Sequence, residues 1–540
     1  MHESFDYIIV GGGSAGCVLA NRLSEDPEVN VCLLEAGGSH KSLFVKIPMA
    51  VIAMVAGKFK NWAFQTVPQK GLNNRTGYQP RGKTLGGSSS TNAMIYIRGH
   101  KADYNSWAAL GNKGWSYNDV LPYFKKSENW ERGANDNSSD YHGVRGPLNV
   151  APVTDPAPLN NRLIEAAKSM QIPINDDFNG TKQEGIGLYE VTQKNGERCD
   201  AARAFLDPVE GRVNLKIITG VHVEKIIIED GVATGVSYLS EGKSHQVNAQ
   251  REVILCAGAF GSPQILLLSG IGPADKLKPH GITQVQDLPG VGENLQDHID
   301  WIGCFKSRSP DTFGISLMGG VRLFREAVRY LISRRGMLAT NYAESGGFLY
   351  TDRNEPSPDI QLHFVRAMVE NHGRNLSWGH GYSCHVCVLR PKSRGRLSLK
   401  SADPLEQPLI DPAFLEDDRD METLLRGIKM AQDLLLSPAF DGVRGNAKYA
   451  SASRDDEELR ADIRARADTI YHPVGTCKMG NDPMAVVDDR LRIHNIKGLR
   501  VIDASIMPNL VSGNTNAPSI MIAEKGADLI KEDARFSALS

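Results

Sequence analysis

The sequence holds no uncharged apolar run approaching the roughly 18–20 residues a membrane-spanning helix needs, so a chain that does not cross a bilayer is expected. Its eight cysteines, at 17, 32, 199, 256, 304, 384, 387 and 477, make no paired framework. That excludes a disulfide-built scaffold and suits a reducing compartment. Cys384 and Cys387 form a C-x-x-C inside the strand-like run Tyr382-Ser-Cys-His-Val-Cys-Val-Leu389. An odd spacing on a strand sends the two side chains to opposite faces, so packing is expected there rather than redox or metal chemistry. No block of lysine and arginine is present to track a phosphate backbone, and the net charge is −2, which argues against nucleic acid. The start, Met1-His-Glu-Ser-Phe-Asp6, runs straight into Tyr7-Ile-Ile-Val10 without the basic and apolar segments of a secretory signal. A cytoplasmic protein is expected, with peripheral association to a membrane left open. His380 and His385, five apart across Gly381, suit neither a helix face nor a strand face, and no metal is expected.

What is present is an ordinary globular composition, 41% hydrophobic and 23% charged over 540 residues. A single core usually splits above roughly 250–300 residues, so two domains are expected. No internal repeat or Pro/Gly/Ser linker divides the chain, and motifs lie at both ends. That pattern suits one domain assembled from separated segments with the middle inserted. Strands are expected at 213–219, 223–229, 233–238 and 253–257, and amphipathic helices at 319–333 and 418–436. The helix at 319–333 carries arginines at 322, 325 and 329. The expectation for it is a solvated arginine face over a packed apolar one, with a membrane-surface face as the alternative.

The first 36 residues have the rhythm of a Rossmann unit. A short apolar strand ends at Val10, a helical pattern runs from Ser14 to Leu23, and a second strand runs from Val29 to Leu34. Between strand and helix lies Gly11-x-Gly13-x-x-Gly16. Its first glycine permits the tight turn, its second lets backbone approach a pyrophosphate, and its third lets the helix lie close to the strand. Ser14 and Ala15 open the helix, whose N-terminal N–H groups and dipole favour phosphate. Glu35 follows Gly16 by nineteen residues, where a carboxylate accepts hydrogen bonds from a ribose diol, with Ala36 beside it. A dinucleotide site follows, although this motif alone does not separate NAD from FAD.

Further segments resemble the glucose-methanol-choline (GMC) oxidoreductase family over nearly the whole chain. They are Arg81-Gly-Lys-Thr-Leu-Gly-Gly-Ser-Ser-Ser-Thr-Asn92, Gly258-Ala-Phe-Gly-Ser-Pro-Gln-Ile-Leu-Leu-Leu-Ser-Gly-Ile-Gly272, Tyr471-His-Pro-Val-Gly-Thr-Cys-Lys-Met-Gly480, Val501-Ile-Asp-Ala-Ser505 and Gly513-Asn-Thr-Asn-Ala-Pro518. Within that family the similarity is to bacterial choline-dehydrogenase-like and aliphatic alcohol dehydrogenases. The resemblance implies an α/β fold: a Rossmann-type FAD-binding domain, from 1–155, 198–305 and 456–540, with an inserted α+β substrate-binding domain from 156–197 and 306–455.

It also implies FAD contacts from Arg81, Gly86, Gly87, Ser88, Asn92, Ala93, Val223, Ala257, Gly258, Ser262, Asp503, Ala504, Asn514 and Thr515. Some relatives attach FAD through a histidine just before this asparagine. Thr91 stands there in this chain, so a non-covalent flavin is expected. His472 is implied as the base that takes an alcohol's hydroxyl proton, and Asn516, 44 residues on, as its hydrogen-bonding partner. His298 reads as structural or flavin-adjacent. Glu344 is the one carboxylate of the inserted middle placed as a candidate substrate contact.

The implied reaction is oxidation of a primary alcohol to an aldehyde, with electrons passed to a quinone or other acceptor. An oxygen-using oxidase, a choline dehydrogenase and a redox-inert lyase share these motifs and stay open. An uncharged aliphatic alcohol is favoured over a cationic one, because Glu344 is the only cation partner the sequence offers.

Overall fold

The computed structural model describes residues 3–133, 140–375 and 378–539; Met1 and His2, where the reading of the N-terminus began, lie outside the described residues. Strand Ser4–Val10 is buried from Phe5 onward, which explains its unbroken apolar run: a parallel strand covered on both faces has no solvent side to alternate with. It pairs in parallel with Val31–Glu35 on one side and with the second half of Lys243–Leu255 on the other. Leu215–Thr219 adds in parallel outside Val31–Glu35, and Leu499–Val501 adds in parallel to Lys243–Leu255. The exposed first half of that 13-residue strand instead pairs antiparallel with Val232–Ser240, which pairs with His222–Glu229.

Helix Ser14–Leu23 lies on this sheet and against the last helix, Asn516–Leu539. The Arg22 guanidinium donates twice to the Glu524 carboxylate, at 2.8 and 2.7 Å, and so ties the two chain ends together. Helices Lys101–Ala109 and Tyr117–Ser127 complete the first core with the tightly packed Tyr104, Trp107, Trp115 and Phe124.

A second sheet is antiparallel throughout. Its order is Arg444–Lys448, Ile299–Ser307, Gly379–Val388, Ile360–Val365, Ser345–Leu349 and Gly185–Leu188. Helices Leu159–Ser169, Asp418–Leu436 and Asp456–Arg466 cover one face and enclose a separate core. The other face looks towards the first sheet. Cys384 packs into the helix-covered core and Cys387 into the cluster on the opposite face, as the odd spacing requires; both are free thiols.

Four expectations are corrected. A border at 305/306 would cut strand Ile299–Ser307, which belongs wholly to the second sheet. Residues 456–469 also belong there, because Leu459, Ile463 and Ala467 pack into the second core and Asp468–Thr469 pairs with Ile299–Asp300. Conversely, the hairpin of Arg396–Ser398 and Leu409–Asp411, inside the expected insertion, sends Leu397 and Ile410 into the first core. The fourth correction concerns helix Leu317–Ser333, whose apolar face was expected to pack inward. Among its described side chains the buried ones are instead Glu326 and Tyr330, while Val321, Phe324, Val328, Leu331 and Ile332 are exposed. Among the described residues no helix is long and apolar enough to cross a membrane.

Candidate active site and cofactor crevice

A cavity of about 790 Å³ runs without interruption from the N-terminal glycine turn to His472. At the near end it is lined by Gly11, Gly13, Ser14, Ala15, Glu35, Ala36 and Val223. Arg81, Gly87, Ser88, Asn92, Ala93, Ala257, Gly258, Asp503, Ala504, Asn514 and Thr515 line the rest, with Thr91 beside Asn92. Most of the expected cofactor residues therefore share one wall.

Three lie behind it. A Cβ at Gly16 would stand 1.9 Å from the Gly11 carbonyl oxygen, so this glycine serves the close turn rather than a ligand. Gly86 donates its N–H to the Gly12 carbonyl at 2.7 Å and braces the same turn from outside. Ser262 is fully buried and donates to the Asp503 carboxylate at 2.6 Å; that carboxylate also accepts from the Gly258 N–H at 2.8 Å. These bonds lock the middle glycine signature to the C-terminal one.

The crevice fits FAD on its own geometry. Beneath the first turn of helix Ser14–Leu23 the N-cap Gly13 takes no side-chain cap, so the helix end stays open to a phosphate. A Cβ at Gly258 would meet no protein atom within 4 Å, and one at Gly13 only the Cys256 carbonyl oxygen at 3.9 Å. The space before both belongs to the cavity. Gly87 packs so closely on the turn that a Cβ would sit 2.7 Å from the Gly13 Cα. Glu35 accepts from the N–H groups of Gly12 at 2.8 Å and Gly37 at 2.6 Å, one on each carboxylate oxygen. Each oxygen keeps a lone pair for a ribose hydroxyl. Burial raises this carboxyl to about 7 against the pull of those two N–H groups and Lys83.

The strap carrying Asn92 and Ala93 is held by Arg198, a residue the sequence reading passed over. Its buried guanidinium donates to the Asn92 carbonyl at 2.7 Å, the Asn92 side-chain oxygen at 2.8 Å and the Val45 carbonyl at 3.0 Å. Burial lowers its pKa to about 10. The strap is thereby fixed from behind, leaving its front to the cavity.

His472 sits at the far end, where both sheets meet. Its backbone N–H donates to Asp297 at 2.9 Å, and Tyr471 before it adopts a left-handed conformation at φ 77°. A non-glycine residue held there stores strain, which is usual beside a reacting centre. The Arg81 guanidinium donates to the Tyr471 carbonyl at 2.6 Å and helps hold that turn.

The hydrogen bonds assign the ring's tautomer. His298 Nε2 faces the Leu389 carbonyl at 3.2 Å and can only donate to it. Burial holds His298 down to about 3, so it is neutral and its Nδ1 is an acceptor. His472 Nδ1, 2.9 Å away, must then carry the proton. The lone pair of His472 lies on Nε2, where the Asn514 amide donates at 3.1 Å. Gln361 Nε2 donates to the Asn514 oxygen at 3.1 Å and sets which way that amide points. Burial first, then His298, His363 and Arg81, holds His472 far below the ordinary imidazole value.

The expected pairing of His472 with Asn516 is corrected. Asn516 opens the last helix, and its side-chain oxygen accepts from the Ser14 hydroxyl at 2.8 Å. Asn514, two residues earlier on the loop, makes the contact with His472. Glu344 is also not at the substrate position. It is 1% exposed, off the cavity wall, and accepts from the Ala157 N–H, the Asn160 amide and the Thr340 hydroxyl, with Arg366 at 3.2 Å. It is a structural carboxylate. His298, read as structural or flavin-adjacent, proves to be the direct partner of His472.

Sequence reasoning also missed Gln361 and His363. The signal was available: two polar residues at i and i+2 in the apolar strand Ile360–Val365 face one side together.

Both halves of the chain match the models of the GMC oxidoreductase family, over residues 5–300 and 391–523. The chain is 48% identical to an alcohol dehydrogenase [acceptor] of Pseudomonas putida, over 99% of this chain and 97% of that one. It is 43% identical to the mitochondrial choline dehydrogenase of Homo sapiens, over 98% and 90%. Among solved structures, a formate oxidase variant of Aspergillus oryzae RIB40, described for the effect of its mutation on FAD modification, superposes with a TM-score of 0.90. That match has 29% identity over 99% of each chain. With a crevice built for FAD and full-length likeness to these proteins, the chain belongs to the GMC oxidoreductase family and is an FAD-dependent oxidoreductase.

Proposed function

We propose that this FAD-dependent oxidoreductase of alcohols takes an uncharged, aliphatic primary alcohol to its aldehyde, with His472 as the base. The observation that carries the reading is the unprotonated Nε2 of a neutral, buried imidazole on the cavity wall, steadied by Asn514. That nitrogen takes the hydroxyl proton, while the α-hydrogen leaves as hydride and the carbon–oxygen bond becomes a carbonyl. FAD, when bound, supplies the hydride acceptor. Asn514 donates towards the same point and can hold the substrate oxygen as its charge grows. His298 accepts from the far side of the ring and keeps Nε2 unprotonated. Thr91, lacking a ring nitrogen, leaves the flavin non-covalently held.

The walls near His472 favour an uncharged chain. Val51, Ile52, Val55, Phe313, Leu323, Met337, Tyr342, Val365 and Met368 supply apolar surface. Among the described residues, the carboxylates on the cavity wall are Glu35, Asp503 and Glu406. The first two are engaged by backbone, and the third pairs with Lys400 at 2.5 Å beside Pro404–Gln407. The Phe313 ring, whose face would suit a cation, already carries the Arg366 guanidinium 4.6 Å from its centroid. A quaternary ammonium would meet like charge there. An electron acceptor of the quinone type, at the surface of a membrane from the cytoplasmic side, completes the reading.

The test is anaerobic mixing of the purified yellow protein with 1-octanol, choline or a polyol. Octanol should bleach the flavin fastest, and His472→Ala should slow that bleaching by roughly 10²–10⁴-fold, the usual contribution of a general base. Faster bleaching by choline removes the uncharged substrate. A His472→Ala rate within a few-fold of the parent removes the base. Peroxide formed stoichiometrically in air would make the protein an oxidase instead.

A further inference from the structure

Helix Leu317–Ser333 places its apolar stripe on the outside. Val321, Phe324, Val328, Leu331 and Ile332 recur at the spacing of one helical face, and all five are exposed, Phe324 at 73% and Ile332 at 82%. The inward side carries Glu326, which accepts from the Met337 N–H at 3.1 Å, and Tyr330, which donates to the Gly196 carbonyl at 3.1 Å. These polar anchors fix the helix's rotation, so the outward stripe is built in. Along one flank run Arg322, Arg325 and Arg329, the latter two with side chains 77% and 51% exposed. Arg329 also reaches Asp155 at 3.1 Å, and Arg325 lies 3.7 Å from Glu326. Isolated exposed apolar residues need no explanation, whereas a contiguous stripe edged with arginine does.

The helix also borders the active site. Gly319, Arg322 and Leu323, in its first turns, line the cavity wall, as do Ile52 and Val55. Whatever covers the stripe therefore lies next to the passage to His472. Trp378, 73% exposed, immediately precedes strand Gly379–Val388, whose Gly379–Gly381 pairs with the stretch Phe313–Ile315 leading into the helix.

We propose that helix Leu317–Ser333 is the docking surface for an anionic lipid bilayer: the stripe enters the acyl boundary and the arginine flank pairs with lipid phosphates. This deepens the peripheral membrane placement proposed above by assigning the surface that makes it. Charge selects the lipid over a second copy of the chain. Two copies packed antiparallel on this stripe about a two-fold axis would set arginine flank against arginine flank. Seated this way, the helix brings the cavity edge to the bilayer, from which an aliphatic alcohol and a lipid-soluble acceptor would arrive.

The experiment is co-sedimentation of the FAD-loaded protein with vesicles of phosphatidylcholine alone or with about 30% phosphatidylglycerol, enough anionic lipid to draw a basic flank. It runs alongside the variant Phe324→Ser/Leu331→Ser/Ile332→Ser. These positions are exposed and off the cavity wall, so the variant should keep its flavin and its turnover with a soluble dye acceptor. The parent should bind the anionic vesicles at least tenfold more tightly than the neutral ones. The triple variant should lose at least tenfold, and Arg325→Gln/Arg329→Gln should erase most of the preference for anionic lipid. Equal binding by parent and triple variant overturns the assignment. So does an absence of vesicle binding with a parent that runs as a dimer and a triple variant that runs as a monomer. Vesicle binding is read without turnover: its loss beside intact alcohol oxidation removes the docking surface alone, and failed alcohol oxidation beside intact binding removes the substrate reading alone.

Discussion

At the residue scale the site turns on which asparagine meets His472. Spacing along the chain pointed to Asn516, but the last helix begins there and turns that side chain onto Ser14. Asn514 remains on the loop with its amide oriented by Gln361. The choice between two asparagines two residues apart depends on where a loop ends and a helix starts, which one-dimensional spacing does not resolve. Asn514→Ala removes the donor proposed to hold the substrate oxygen as its charge grows, worth about 1–3 kcal/mol. It should slow flavin reduction roughly 5- to 150-fold, and Asn516→Ala should stay within a few-fold. Anaerobic stopped-flow bleaching of the two variants compares them directly; the reverse ranking would return the role to Asn516. The pH dependence follows from the same ring. Protonated His472 cannot accept a proton, and burial disfavours protonation, so its pKa is depressed. Activity should be flat through neutral pH and fall only on an acid limb below about 6.5, the ordinary imidazole value. A profile of kcat/KM with its limb at or above that value would contradict the neutral, buried imidazole.

At the scale of elements, the pieces with one clear period were legible and the shared ones were not. Ser14–Leu23 and Asp418–Leu436 fall on the residues that helical periodicity marks. Lys243–Leu255 was read only at its buried end, because its first half stands in solvent as part of an antiparallel extension. The helix at 317–333 shows its apolar stripe plainly, but a stripe does not say which way it faces; Glu326 and Tyr330 decide that through distant N–H and carbonyl partners. The same kind of long-range tie joins the first and last helices. Glu524 is fully buried, and Arg22 supplies two of its hydrogen bonds, with Lys126 at 3.4 Å as its other cation. Removing one partner of a buried pair costs about 3–5 kcal/mol, and Lys126 keeps the loss near the lower figure. Arg22→Ala should therefore lower unfolding free energy by about 3 kcal/mol in urea titration. A change below about 1 kcal/mol, the range of a surface pair, would show that the two helices are held by their apolar contact alone.

At the scale of the whole molecule, the two sheets have separate cores but share one cavity. Glu35, Val223 and Gly13 belong to the first sheet and its turn, whereas His363, His385 and Val365 come from the second. His363 is 3% exposed, and neither ring nitrogen has a hydrogen-bond partner among the described residues. Burial pushes it down to about 3. A ligand spanning this cavity touches residues of both sheets, so it should stabilise both together. Binding to the folded state alone adds about 2.7 kcal/mol when free ligand is about 100-fold above Kd. Stripping FAD should accordingly lower Tm, and FAD added back should restore it in a concentration-dependent way. Glu35→Gln should need more FAD for the same gain, because its NH2 group must face either the Gly12 or the Gly37 N–H and only one acceptor oxygen remains for the ribose. Amide exchange separates shared from local stabilisation. FAD should slow exchange in strands Ile360–Val365 and Ser345–Leu349 as well as in Val31–Glu35. Protection confined to the N-terminal sheet would mean that the second sheet folds over the cavity without depending on what fills it.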